Sequence, residues 1–249
     1  MRKYIFNNSL DSPERTLEHK EIIKSKKILR DLYNDWYSLF TEVINSLPEG
    51  KLVELGSGGG FFKEIEPKVL CSDIINLPSN DLTFSALQMP FEDASVSGIF
   101  MIDTMHHIPD SEVFLNEVNR VLKKGGKMIM IEPANSLWGR FIYKNFHHEP
   151  FNIAGDWTIP ERGPLSGANG ALPWIVFIRD YNIYQSKFPQ LKLESTKFIN
   201  PFLYLVSGGV SRKQMIPGFL LPLVAKLDNI LPRISKELSM FMVVSISKF

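Results

Sequence analysis

The stretch that most constrains the fold runs Leu52-Val53-Glu54-Leu55-Gly56-Ser57-Gly58-Gly59-Gly60. Leu52 to Leu55 read as a short buried strand, with Val53 and Leu55 turned to the core. Glu54 interrupts it, and a carboxylate there is costly to bury unless it is paired or hydrogen-bonded. Of the next five residues, four are glycine, and glycine lets the backbone turn with positive φ and approach a ligand closely. A strand feeding such a loop is the usual nucleotide-binding start of an open α/β sheet. The dinucleotide fingerprint fails, because Phe61 stands where its last glycine or alanine belongs. No Gly-Lys-Ser/Thr follows to make a P-loop.

What remains, Glu54-x-Gly56-x-Gly58-x-Gly60, resembles motif I of the class I S-adenosylmethionine (SAM) methyltransferases. Alone it leaves two readings open: a SAM site, or a glycine-rich turn kept for packing. Basic and acidic residues number 28 and 27, so no polyanionic partner is implied. The one cysteine, Cys71, excludes a disulfide framework, and a reducing, cytoplasmic setting is expected. Met1 to Asn8 is charged and lacks the apolar centre of a signal peptide. No run of about 18 apolar residues predicts a transmembrane helix. The 249 residues read as a single domain carrying an insertion.

Ser12-Pro13-Glu14 is a helix start. Leu29, Leu32, Trp36, Leu39, Phe40, Val43 and Leu47 then recur at helical spacing, so residues 1–48 are expected to be helical. That region either packs on the sheet or forms a lid, with Trp36 or Tyr37 near a bound cation. After the loop, Phe61 to Ile65 can form only a stub of helix. Lys68 to Cys71 is the second strand, ending at Ser72-Asp73. Asp73 lies nineteen residues after Glu54, where an acid can accept both ribose hydroxyls of an adenosyl group; a turn aspartate is the other reading. The third strand is placed at Leu82 to Ser85. The eight residues before it are too few for a crossover helix. Val96 to Ile102 is the fourth strand, Ser111 to Leu122 a helix, and Lys127 to Ile131 the fifth strand.

Here the likeness becomes specific. Met89-Pro90-Phe91-x-Asp93, His106-His107, Phe114-Leu115-x-Glu117-x-x-Arg120-Val121-Leu122-Lys123-x-Gly125-Gly126 and Glu132-Pro133 resemble, in order and spacing, landmarks of the methyltransferase type 11 group. That group includes the ubiquinone/menaquinone C-methyltransferases. The resemblance covers about residues 50 to 133. It implies a Rossmann-like class I methyltransferase sheet, mostly parallel with an antiparallel last strand, helices on both faces and a cap inserted after strand five. It also implies SAM as cofactor. By resemblance, Glu54, Gly56, Ser57, Gly58 and Gly60 surround the methionine part, Asp73 takes the ribose, and Ile74 flanks the adenine. Ser85, Ala86, Leu87, Ile102 and Asp103 complete that set. Ser85 stands where the family usually has an acid near the adenine amine, and Val96-Ser97 replaces its usual Phe-Asp.

Residues 49–133 are thus the expected SAM-binding core. Residues 134–190, crowded with aromatics, glycines and prolines, read as a substrate cap or as an insertion that merely packs. His147, His148, Trp157, Arg162, Trp174 and Arg179 are its candidate substrate contacts. The two arginines suit an anionic group or surface salt bridges. His147-His148-Glu149 lacks the i, i+4 spacing of a metal motif, so no metal is expected. In residues 191–249, Leu191 to Ser207 carry a strand pattern. Leu220, Val224, Leu227, Leu231 and Ile234 recur at helical spacing, and Met240 to Ser247 is a last strand. The helix packs on the sheet or rests peripherally on a membrane.

The expected activity is methyl transfer to a small-molecule or lipid- or glycan-linked acceptor. SAM needs mainly alignment and exclusion of water, so few residues need act directly. Asp103, His106 and His107 are candidate bases, with structural roles for the histidines also open. No basic aromatic stripe supports nucleic acid. The rival reading is a SAM-binding partner subunit without turnover.

Overall fold

The computed structural model describes residues 4–160 and 163–249. The first three residues of the charged amino-terminal stretch, and Arg162 among the expected substrate contacts, lie outside the described residues. Seven strands form one sheet: β1 Lys51–Leu55, β2 Val69–Asp73, β3 Leu82–Thr83, β4 Val96–Ile102, β5 Leu122–Pro133, β6 Leu191–Ile199 and β7 Phe241–Lys248. Their order is β3-β2-β1-β4-β5-β7-β6. β1 to β5 pair in parallel, and β7 runs antiparallel to both β5 and β6. This is the mostly parallel sheet with an antiparallel last strand that the resemblance implies.

The central strands are buried on both faces, as strands covered by helices on each side must be. All of β4 is buried. Its side chains alternate between two cores. Ile99 and Met101 join Val53, Leu55 and the α4 residues Phe114, Leu115 and Val118, where α4 is Ser111–Val121 in the chain. Phe100 and Ile102 join Leu52, Phe62 and the residues of Lys27–Ile44 on the opposite face. The numbering of helices follows the chain: α1 Pro13–Ser25, α2 Lys27–Ile44, α3 Phe62–Ile65, α4 as above, α5 Leu137–Phe146, α6 Leu172–Trp174, α7 Tyr181–Lys187, α8 Leu203–Ser207 and α9 Leu221–Ile234.

The expected amino-terminal helix is two helices, broken at Lys26. Ser12 caps the first, its Oγ accepting the Arg15 N–H at 3.2 Å. At the break the Lys26 ammonium donates to the carbonyls of Ser207, at 3.2 Å, Gly209, at 2.7 Å, and Arg212. Three carbonyls hold a cation that burial lowers to about 8. Of the open readings for α2, packing on the sheet describes Trp36: it is 1% exposed, its ring centroid lies 5.0 Å from that of Phe241, and it donates its indole N–H to Asn200 at 2.8 Å.

Three further boundaries differ from expectation. β3 has two residues rather than four, pairing Ser72 with Leu82 and Asp73 with Thr83. No helix occupies residues 74–81, as the short spacing predicts. The extended pattern from Leu191 stops at Ile199, because Asn200 takes φ of 46° and Pro201 follows. Leu203–Ser207 then turns into helix, closed by Gly208 in the left-handed region. β5 begins directly at Leu122, with Gly125 at φ 79° carrying the irregularity before the regular pairing from Lys127.

Candidate functional site

The carboxyl ends of β1, β2 and β4 open into a cleft of about 1130 Å³. A ligand of an open α/β sheet sits at this edge. At its floor, Gly56 turns at φ 65° and Gly58 at φ 39°. A methyl on Gly56 would overlap the Thr104 side chain, so the turn admits no larger residue. Ser57 ties the loop to its neighbour: its N–H donates to Ser72 O at 2.9 Å, and its Oγ accepts the Ser72 N–H at 3.0 Å.

Asp73 stands at the tip of β2 with both oxygens oriented. Oδ2 accepts the Gly58 N–H at 3.0 Å and Oδ1 accepts the Ile75 N–H at 2.9 Å. Burial raises its pKa despite these bonds. Glu54 is 2% exposed. Burial pushes it up to about 7, while hydrogen bonds from Ser57, Cys71 and Tyr37 pull the other way. The polar partners that a carboxylate in a buried strand demands are therefore supplied. Tyr37 also accepts the Phe61 N–H at 3.1 Å. Of the two α2 rings expected near a bound cation, Tyr37 thus lines the cleft, although its bonds to Glu54 and the loop have no local signal.

Glu54, Gly56, Ser57, Gly58, Gly60, Asp73, Ile74, Ser85, Ala86, Leu87, Ile102 and Asp103 all line this one cleft. Ser85 Oγ accepts the Leu87 N–H at 3.2 Å. The missing acid at that position is thus replaced by a hydroxyl that shapes the turn. Asp103 takes φ of 50° just beyond β4, and burial pushes its carboxyl up to about 7.

His106, His107, His147 and His148 also line the cleft and meet around Glu149. His106 is 2% exposed; its Nδ1 lies 2.7 Å from Glu132 Oε2. Glu132 is fully buried, and its other oxygen accepts the N–H groups of Thr104 at 3.0 Å and Met105 at 2.6 Å. His107 Nδ1 lies 2.8 Å from the Gly167 carbonyl. Glu132 of the Glu132-Pro133 landmark ends β5 and His106 lies in the turn after β4, so their pairing carries no sequence signal.

Three expected substrate contacts stand elsewhere. Trp157, Trp174 and Arg179 do not line the cleft. Trp157 donates its indole N–H to Asp180 at 2.9 Å, and Trp174 packs between the two cores. Arg179 pairs with Asp180 at 2.7 Å and donates to the carbonyls of Ile153 and Gly155, both at 2.8 Å. Together they stitch residues 153–180 to one another, and the apparent anion site is an internal clasp.

The cleft is roofed from both ends of the chain. Thr16, His19 and Ile23 of α1 border it, and a Cβ on Gly59 would lie 3.1 Å from the Lys20 nitrogen. Asp11 accepts the N–H groups of Leu165 at 2.7 Å and Ser166 at 2.9 Å, joining this roof to the 163–170 loop. Trp138, Phe141, Tyr143, Phe146 and Phe151 give the remaining wall an aromatic surface.

Residues 53–130 match the family described as Methyltransferase domain, type 11. Among curated proteins, the chain is 29% identical over 118 residues to a demethylmenaquinone methyltransferase of Symbiobacterium thermophilum, covering 47% of this chain and 46% of that one. It is 25% identical over 136 residues to the Staphylococcus carnosus protein of the same name, covering 51% and 54%. The chain therefore spans about half the length of the curated relatives it matches. Among solved structures, a geranyl diphosphate C-methyltransferase from Streptomyces coelicolor, in complex with Mg2+, geranyl diphosphate and S-adenosyl-L-homocysteine, aligns with a TM-score of 0.54. Identity is 12%, over 96% of this chain and 86% of that one. A possible histamine N-methyltransferase from Thermotoga maritima aligns at 0.51 and 17% identity, over 95% and 94%.

Proposed function

Residues 53–130 belong to the methyltransferase type 11 domain family, on a class I methyltransferase sheet, and from that premise we propose that the chain is a SAM-dependent methyltransferase. The observation that carries this reading is the cradle itself. A loop turned at positive φ, a doubly anchored Asp73 and an open cleft lie together at the carboxyl edge of the sheet.

The residues present fit the cofactor. Glu54, Gly56, Ser57, Gly58 and Gly60 hold the methionine part, and Glu54 supplies the negative charge an ammonium needs. Asp73 holds the ribose hydroxyls. Ile74 and Leu87 flank the adenine, with Ser85 and Ala86 at its polar edge. Ile102 and Asp103 border the reacting end. When bound, SAM supplies an electrophilic methyl carried on a positively charged sulfur. The chain's own residues align the acceptor and exclude water. The roof from α1 and the 163–170 loop, pinned by Asp11, serves the second task. Asp103, poised near neutrality at the cleft, is the candidate base for an acceptor hydroxyl or acidic carbon.

The acceptor is a small molecule with an apolar body, free or attached to a lipid or glycan. Supporting this are the aromatic wall of Trp138, Phe141, Tyr143 and Phe146 and a cleft volume above that of one drug-sized ligand. Isothermal calorimetry with SAM and with S-adenosylhomocysteine tests the binding, and transfer of tritiated methyl into cell extract tests the reaction. Both ligands should bind and label should enter the small-molecule or lipid fraction. Failure of both ligands to bind would sink the proposal. Binding without labelling would instead favour a SAM-binding partner subunit.

A further inference from the structure

We propose that His106, His107 and Glu149 form a binding site for a divalent transition-metal ion of the zinc type inside the cleft. One ligand atom from each of His106, His107 and Glu149 lies within 4.8 Å of the other two. Two side chains come from the turn after β4 and the third from the loop after α5, so no sequence spacing announces the cluster. Donors about 2.0–2.1 Å from a tetrahedral ion stand roughly 3.3–3.5 Å apart. His106 Nε2 lies 3.3 Å from Glu149 Oε2, and His107 Nε2 lies 3.7 Å from Glu149 Oε1.

The surroundings argue for a cation as strongly as the spacing. A metal-bound histidine almost always donates its other ring N–H to a carboxylate or backbone carbonyl, which fixes its tautomer and orientation. Both rings have such a partner: Glu132 Oε2 at 2.7 Å for His106, and the Gly167 carbonyl at 2.8 Å for His107. With each Nδ1 taken by these partners, both Nε2 atoms are turned toward the Glu149 carboxylate. Glu132 adds a second carboxylate beneath, buried completely and held by the Thr104 and Met105 amides. His147 Nδ1 and His148 Nε2, each 3.6 Å from a Glu149 oxygen, offer more exposed further donors.

Imidazole nitrogen with a carboxylate selects zinc, cobalt, iron or nickel over magnesium or calcium. Three protein donors leave an open position, and all three residues line the cleft, so that position is available to an oxygen of the acceptor. This last assignment rests on the methyl-transfer reading; the ion site itself does not.

The test uses full-length protein stripped with chelator, then titrated with Zn2+ and with Co2+. Elemental analysis after desalting should show about one equivalent of Zn2+, and Co2+ should give visible d–d absorption of a low-coordinate site. Glu149→Gln and His107→Gln should each weaken Zn2+ binding at least tenfold. Circular dichroism verifies that each variant is folded, and S-adenosylhomocysteine calorimetry on the same samples reports the cofactor cradle separately. No retained zinc in the wild type, or undiminished binding in folded Glu149→Gln, would overturn the site. A cofactor cradle that fails while zinc binds would sink the methyl-transfer reading alone.

Discussion

In the proposed cradle Asp73 offers two positioned oxygens and Glu54 a buried carboxyl. Asp73 is exposed enough to meet a ligand, yet two amides fix its oxygens. Hydrogen bonds to a charged group are worth about 1.5–3 kcal/mol each, so Asp73→Ala should weaken S-adenosylhomocysteine binding roughly tenfold to hundredfold in calorimetry. Unchanged affinity would remove Asp73 from the ribose. Glu54 tests the opposite property, burial. Its folded pKa, about 7, stands above its ordinary 4.5. Between those values the fold keeps a proton that the unfolded chain has lost. The stability present below about pH 4.5 is therefore lost progressively as pH rises toward 7, and the curve then levels off. The loss amounts to about 3 kcal/mol. Glu54→Gln should erase it, so urea-unfolding curves of variant and wild type should diverge across that window. A difference independent of pH would show that Glu54 titrates normally. Both residues were legible in the sequence because strand and loop are contiguous. The pairing of Tyr37 with Glu54, and of Glu132 and Glu149 with the histidines, was not: each meets its partner only after the sheet has formed.

At the scale of elements, legibility followed how local the cause was. β4 and α4 read correctly because an unbroken apolar run and an apolar helical face are written in adjacent residues. The break at Lys26 did not, since three carbonyls from residues 207–212 hold it. The end of β6 had a local signal in Asn200-Pro201 that the alternating pattern outweighed. α9 shows the most unusual polarity. Asp228, 5% exposed, turns inward to accept the N–H groups of Phe202 at 2.8 Å and Leu203 at 3.1 Å. Several apolar residues face outward instead: Leu223 is 57% exposed, Ile230 40% and Ile234 71%, with Phe219 just before the helix at 79%. Lys226, Arg233 and Lys236 are exposed around them. Among the described residues no helix is long and apolar enough to cross a membrane. An apolar stripe flanked by cations suits the interface of an anionic bilayer, each inserted side chain adding about 1.5–3 kcal/mol when fully buried. The protein should therefore co-sediment with phosphatidylglycerol vesicles, and Leu223→Ser with Ile234→Ser should lower partitioning about tenfold or more. Failure of the wild type to bind would leave the stripe without a lipid role.

For the whole molecule, the consequential feature is that both ends of the chain close over one edge of the sheet. Lys26 ties the α1–α2 break to residues 207–212, and Asp11 ties the amino-terminal segment to residues 165–166. The roof is thus anchored by a few polar clasps, whereas the sheet beneath rests on two apolar cores. Elements held by few apolar contacts open at lower free energy than core strands, so the roof is the part a ligand can order most. A ligand that binds only the folded state at one hundred times its dissociation constant stabilises it by about 2.7 kcal/mol. For a domain of this size each kcal/mol raises the melting temperature by about 2–4 °C. Saturating S-adenosylhomocysteine should accordingly raise it by about 5–10 °C. Hydrogen exchange should slow most in residues 13–25 and 163–170, with β4 and β5, already protected, changing least. Melting that rises while exchange in α1 stays unaltered would mean the ligand occupies the cradle without engaging the roof, and water exclusion would then have to come from the aromatic wall of residues 138–151 alone.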